Sequence, residues 1–225
     1  MNHQLLTSID TSTFEDTLYN EAKITFPKMI AEYKAEKIYM LGFYHSGCYS
    51  YIFPIALTEA DLVERPDLRW WECDAKHHCE YEDGTSQANE LLNDFSEVII
   101  YGDDFEDMEE DEIDDWDEEE DEKKVEAYYH FVEQAVANVF ARLENDGVFN
   151  ELGDRNHYIL NLVCGDQSWE DKLNYAQGVN PESALIQLTS DVTSRKIAND
   201  AKLAKFMQEH PKLAKSMQEV ESIQE

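Results

Sequence analysis

The stretch Lys37–Pro54, KIYMLGFYHSGCYSYIFP, decides the fold. It is an apolar run, a four-residue polar break and a second apolar run. Ile38–Tyr44 is rich in the β-branched and aromatic residues that fit a pleated, half-buried surface. His45-Ser46-Gly47-Cys48 supplies a turn, with Gly47 free to take positive φ. Tyr49–Phe53 then returns, and Pro54 ends it, because proline cannot donate to a ladder. The pattern predicts a β-hairpin at the centre of a sheet.

Upstream, Ser12-Thr13-Phe14-Glu15 has the capping-box pattern, and Phe14, Leu18, Ala22, Phe26, Met29 and Tyr33 follow at helical spacing. Pro27 is expected to kink or split that helix. Downstream, Thr58-Glu59-Ala60-Asp61 starts a short helix that ends before Pro66. Leu68–Glu72 reads as a third strand. Ser86 caps a helix through Glu97, and Val98–Tyr101 either extends it or forms a short strand. Lys124–Asn145 carries an unbroken apolar stripe from Val125 to Leu143, expected to lie across the sheet, and Gly147 is placed to terminate it. His157–Cys164 reads as a buried strand. Ser168 and Asp171 suggest a capped helical turn, and Asn180-Pro181 ends it. The expected architecture is α+β: a mainly antiparallel or mixed sheet of about four to six strands with a central hairpin, covered by amphipathic helices.

Two segments differ in composition. In Asp103–Glu122, sixteen of twenty residues are Asp or Glu and none is Lys or Arg. Such a run repels itself and is expected to be a solvated, disordered insertion in a domain spanning residues 1–181. The tail, 182–225, holds the near-repeat KLAKFMQE (Lys202–Glu209) and KLAKSMQE (Lys212–Glu219), separated by His210-Pro211. Pro211 favours two short helices there. Within it Arg195–Glu225, with six bases and five acids, is the one non-acidic region, and it suggests self-association or docking on the acidic body.

The chain has 225 residues and a net charge of −32. That charge repels nucleic acid and anionic membrane and attracts basic partners. Without a transmembrane run, a signal-like start or a dense cysteine framework, the sequence reads as cytoplasmic. Within the acidic run, Asp103, Asp104, Glu109, Glu110, Asp114, Asp115, Trp116, Asp117 and Glu118 are candidate partner-binding residues, with Trp116 as an anchor in a charged lure. The run has no EF-hand spacing for calcium. A second candidate is zinc, held by His45, Cys48, Cys73, His77 and Cys79, since thiolate and imidazole at short spacings close tetrahedral sites. A third is a hydrolase with Cys48 or Cys164 as nucleophile and His45 or His157 as base. No oxyanion-forming glycine pattern surrounds either cysteine, and Cys164 sits in an apolar strand. Asp166 directly follows that strand, where polar residues either line clefts or cap the next turn.

The order of these pieces resembles a bacterial family known as a domain of unknown function. Its "yafgLY" strand is matched by Ile38–Tyr44, its proline-ended second strand by Tyr49–Pro54 and its "TEE" by Thr58-Glu59-Ala60. Its "yRW" is matched by Leu68-Arg69-Trp70 and its "G.F" by Gly147-Val148-Phe149. An apolar strand ending in Asp and a closing "NP" are matched by Asp166 and Asn180-Pro181. The resemblance covers about Phe14 to Pro181 and departs at Ala60, at the acidic insertion and in the tail. It implies no established enzymatic activity, and it is similar in setting to immunity proteins that neutralise bacterial toxins. The expectation is a non-enzymatic protein that binds a basic partner, such as a nuclease toxin, through an acidic surface.

Overall fold

A computed structural model of the chain describes residues 11–63, 65–66, 69–96 and 118–210. The chain divides into two units, with the boundary between Leu185 and Ile186.

The first unit is α+β. Strands β1 (Ile38–His45) and β2 (Ile52–Thr58) form the hairpin, and β3 (Ile159–Val163) completes a sheet of order β2-β1-β3. The hairpin pair is antiparallel, whereas β1 and β3 run parallel. The mixed sheet thus has three strands among the described residues, fewer than the four to six expected. The anticipated strand at Leu68–Glu72 is absent where the chain is described: Arg69 and Trp70 lie in a turn, and Glu72–Asp74 is a 3-10 turn. Val98–Tyr101 falls outside the described residues.

Pro54 does not end the second strand. It lies inside β2, opposite Phe43. The sheet order makes β2 an edge strand, where a missing N–H is tolerated. The turn is also wider than the four residues expected. Ser46 N–H donates to Tyr51 O at 3.1 Å, and Ser46 Oγ accepts from Ser50 N at 2.8 Å. Tyr49, not Gly47, takes the positive φ, at 54°.

Helix α1 (Thr11–Tyr33) runs continuously through Pro27, and α2 (Ser86–Ser96) follows the hairpin. Helix α3 (Glu118–Asn145) begins within the acidic run, so its last five residues, 118–122, are helical. Gly147 ends α3 as expected, at φ 75°, with Val148 N–H donating to Leu143 O at 3.0 Å. Alternation places Leu41 and Phe43 of β1 on one sheet face. There Phe43 meets Phe26 of α1 and Phe140 of α3, at centroid distances of 5.2 and 5.5 Å. Every residue of β1 except Tyr44, and all of β2 and β3, are buried, so both faces are covered. Helix α4 (Trp169–Val179) follows β3, and Ser168 caps it by accepting from Asp171 N.

The second unit contains α5 (Ile186–Glu209), a single helix that includes the first copy of the tail repeat. Ile197, Leu203 and Phe206 on it are exposed. The second copy lies outside the described residues.

Candidate functional site

β1 and β3 run side by side in the same direction, so their carboxyl ends open at one edge of the sheet. Ligands of sheets with parallel strands commonly bind in the crevice beyond those ends. Here a cleft of about 640 Å³ lies there. β1 and the hairpin turn contribute His45, Gly47 and Tyr49. α3 contributes Tyr129 and Glu133, and the β3–α4 connection contributes Cys164, Asp166 and Gln167. α4 contributes Asp171, Asn174 and Tyr175.

Tyr49 joins the walls. Its ring stacks on His45 at 4.1 Å and 5°, its hydroxyl donates to Glu133 Oε1 at 2.9 Å, and its carbonyl accepts from Tyr128 Oη at 2.8 Å. A tyrosine at positive φ is disfavoured, and these contacts hold it there. Tyr175 Oη donates to the Glu133 carbonyl at 3.1 Å, which ties α4 to α3. Burial first, and then the Glu133 carboxylate, push both the Tyr49 and Tyr175 phenols above their ordinary range, so both stay protonated donors.

His45 is 4% exposed. Its Nδ1 lies 2.6 Å from Ser46 O, so Nδ1 carries the proton and donates to that carbonyl. Nε2 is then a bare acceptor. It and His78 Nδ1 are the two buried side-chain N or O atoms without a partner among the described residues. Burial pushes the His45 pKa down to about 4, against the opposing hydrogen bond to Ser46, so the ring is neutral at pH 7. The cleft therefore holds three carboxylates, Glu133, Asp166 and Asp171, and among the described residues that line it there is no Lys or Arg.

No family model, no curated protein and no solved structure matches this chain.

The anticipated zinc residues are not brought together. Among the described residues no three His, Cys, Asp or Glu side chains are placed to hold a metal ion. His45 Nδ1 is engaged with Ser46 O. Cys48 Sγ lies 3.5 Å from Ser50 Oγ and 3.7 Å from Ser46 Oγ, and Cys73 Sγ lies 3.6 Å from Tyr44 Oη. His77 sits between Glu80 Oε2 at 2.9 Å and Glu36 Oε2 at 3.0 Å, stacked on Tyr33. Cys79 is exposed, and all four cysteines are free. The second half of the motif is itself divided, because Cys73 lies beside Tyr44 near the carboxyl end of β1 while His77 meets Glu36, just before its start.

His45 and Cys164 both line the cleft, yet they form no nucleophile–base pair. His45 Nε2 has no hydrogen-bond partner, and burial pushes the Cys164 thiol up. His157 lies in the Arg155–His157 turn, away from the cleft lining. Of the acidic candidates, Asp103, Asp104, Glu109, Glu110, Asp114, Asp115, Trp116 and Asp117 fall outside the described residues, and Glu118 is the first residue of α3. Asp166 does line the cleft. Sequence reasoning missed Glu133, Asp171 and Tyr175. Their signal was a tyrosine and a carboxylate one helical turn apart, twice: Tyr129 with Glu133, and Asp171 with Tyr175.

The buried His45 predicts an acid sensitivity. Its folded pKa, about 4, lies below its ordinary value of 6.5, so the unfolded chain takes up the proton first. The stability at stake is fully present above the ordinary value and is lost as pH falls towards the folded one, an effect of about 3 kcal/mol. Urea unfolding of wild type and of His45→Phe at neutral pH and near pH 4.5 checks this, and wild type is expected to lose more stability than the variant. Equal losses would assign the acid sensitivity to other groups.

Proposed function

We propose that this chain is a non-enzymatic binding protein that takes up a basic partner at its acidic surface. The observation that carries the reading is the cleft at the strand ends, lined by three carboxylates and, among the described residues, by no Lys or Arg, in a chain of net charge −32. His45 makes no hydrogen bond to a nucleophile and the Cys164 thiol is buried, which supports binding over catalysis. A field of one sign steers an oppositely charged partner and speeds encounter, most strongly at low salt. The family resemblance favours a basic toxin domain, such as a nuclease, as that partner, held in an inactive complex. The acidic run 103–117 carries eleven Asp or Glu in fifteen residues and no Lys or Arg, and its part in the reading is long-range attraction.

Capture from a lysate of the source organism tests the reading. The full chain and a variant with residues 103–117 replaced by a Gly/Ser segment of equal length are compared at low and high salt. One basic protein is expected to be retained by the full chain at low salt, released at high salt and held more weakly by the variant. Retention that ignores both salt and the replacement would contradict the electrostatic reading.

A further inference from the structure

We infer that the cleft at the carboxyl ends of β1 and β3 is a socket for a guanidinium group, presented by an arginine side chain of the partner; this rests on the reading of the chain as a binder of a basic protein.

The chain itself shows how it accommodates arginine. Arg142 lies over the Tyr19 ring, 4.0 Å from its centroid, and bonds Glu15 at 3.0 Å and Asp16 at 2.8 Å. Arg69 lies over Tyr39 at 4.6 Å and bonds Glu59 at 2.7 Å. Arg155 lies over Tyr158 at 4.8 Å and bonds Glu144. Three of the five arginines thus occupy a tyrosine–carboxylate pair. One lysine, Lys23, sits farther out over Tyr19, at 5.2 Å, beside Asp146.

The cleft is lined twice by a tyrosine and a carboxylate four residues apart on one helix, Tyr129 with Glu133 and Tyr175 with Asp171, and none of its described lining residues is a cation. A planar fork of five donors suits such walls, because it stacks on aromatic faces and bonds carboxylates at its edge. The second sign of a ligand is His45 Nε2, a buried acceptor without a partner on a residue of the cleft wall. A neutral acceptor receives a guanidinium N–H without charge repulsion. Anionic ligands are disfavoured by the three carboxylates, and a cleft of about 640 Å³ has room for the side chain.

The test is an NMR titration of the full chain with N-acetyl-arginine amide, N-acetyl-lysine amide, N-acetyl-citrulline amide and free arginine. N-acetyl-arginine amide is expected to shift the resonances of Tyr129, Tyr175 and His45 saturably. The lysine compound should bind more weakly and the uncharged citrulline compound should not bind. Asp166→Asn and Asp171→Asn, each checked by thermal midpoint, are expected to weaken arginine binding about fivefold or more, as loss of a charge-assisted contact does. Free arginine should bind no more tightly than the amide, because its added α-ammonium and α-carboxylate leave the net charge unchanged and a partner's side chain presents neither. Tighter binding of free arginine would overturn the partner side chain as the source and point to a metabolite. Equal binding of the citrulline compound, or unchanged affinity in both variants, would overturn the socket. Shifts confined to the surface outside the cleft would also overturn it while leaving the basic-partner reading intact. Conversely, cleft binding without capture of any basic protein would defeat that reading and the partner source, and leave the guanidinium chemistry.

Discussion

Gly42→Ala is expected to abolish folding, or to cost at least about 4 kcal/mol, the range reserved for severe core disruption. Gly42 lies in the middle of β1, opposite Ile55 on one side and Asn161 on the other. A Cβ there would stand 1.9 Å from Asn161 O, 2.9 Å from its carbonyl carbon and 3.0 Å from its nitrogen. These are backbone atoms of the neighbouring strand, so no change of rotamer relieves the overlap. β1 and β3 would have to part, and Asn161 would carry the disturbance inward: its Nδ2 donates to Lys172 O at 3.2 Å. Glycine inside a strand is otherwise unfavourable, and close backbone approach is the reason it is kept. Circular dichroism and urea unfolding check the expectation, with Gly47→Ala as control, since a Cβ at Gly47 meets nothing within 4 Å. A Gly42→Ala protein with the wild-type midpoint would contradict the parallel pairing of β1 with β3, and with it the cleft at their ends.

Lys172→Met should cost about 3–5 kcal/mol, the usual result of stranding one member of a buried ion pair. Lys172 Nζ donates to Glu72 Oε1 at 2.7 Å and Oε2 at 2.8 Å, and the side chains are 4% and 2% exposed. Nζ also lies 3.5 Å from Trp70 O. Removing the ammonium leaves a carboxylate in an apolar setting with no partner of opposite charge. The double variant Lys172→Met, Glu72→Leu should recover much of the loss, because the desolvation of both charges disappears together. Thermal and urea unfolding of the single and double variants measure this. Equal loss in both would show that packing, not the charge, sets the cost. The pair also fixes the cleft, since Lys172 follows Asp171 on α4.

The elements with strong local signals were legible. The apolar stripe of α3, the terminating Gly147 and the Ser168 cap each act within a few residues, and each appears where local chemistry places it. The hairpin was legible too, but not its details. Pro54 is tolerated only because β2 is an edge, and edge position is a property of the whole sheet. Likewise Tyr49 adopts positive φ because Glu133, Tyr128 and His45 hold it, and all but His45 are distant in sequence. The cleft was legible at Asp166, through its place after a strand, and at His45 and Cys164, which line it without forming the nucleophile–base pair considered for them. Glu133 and Asp171 look in sequence like any polar residue on an amphipathic helix. What gives them meaning is the parallel pairing of β1 with β3, which no local pattern encodes. The five zinc candidates are likewise not brought together among the described residues, since His77 meets Glu36 before β1 begins while the hairpin turn follows its end.

The most direct measurement is the dissociation constant of the captured basic partner across a range of salt, for wild type and for Asp166→Asn, Asp171→Asn. Affinity is expected to fall steeply as salt rises, and the double variant to bind at least about tenfold more weakly at low salt, with a shallower salt dependence. A dissociation constant that is flat with salt and unchanged in the variant would contradict the electrostatic reading.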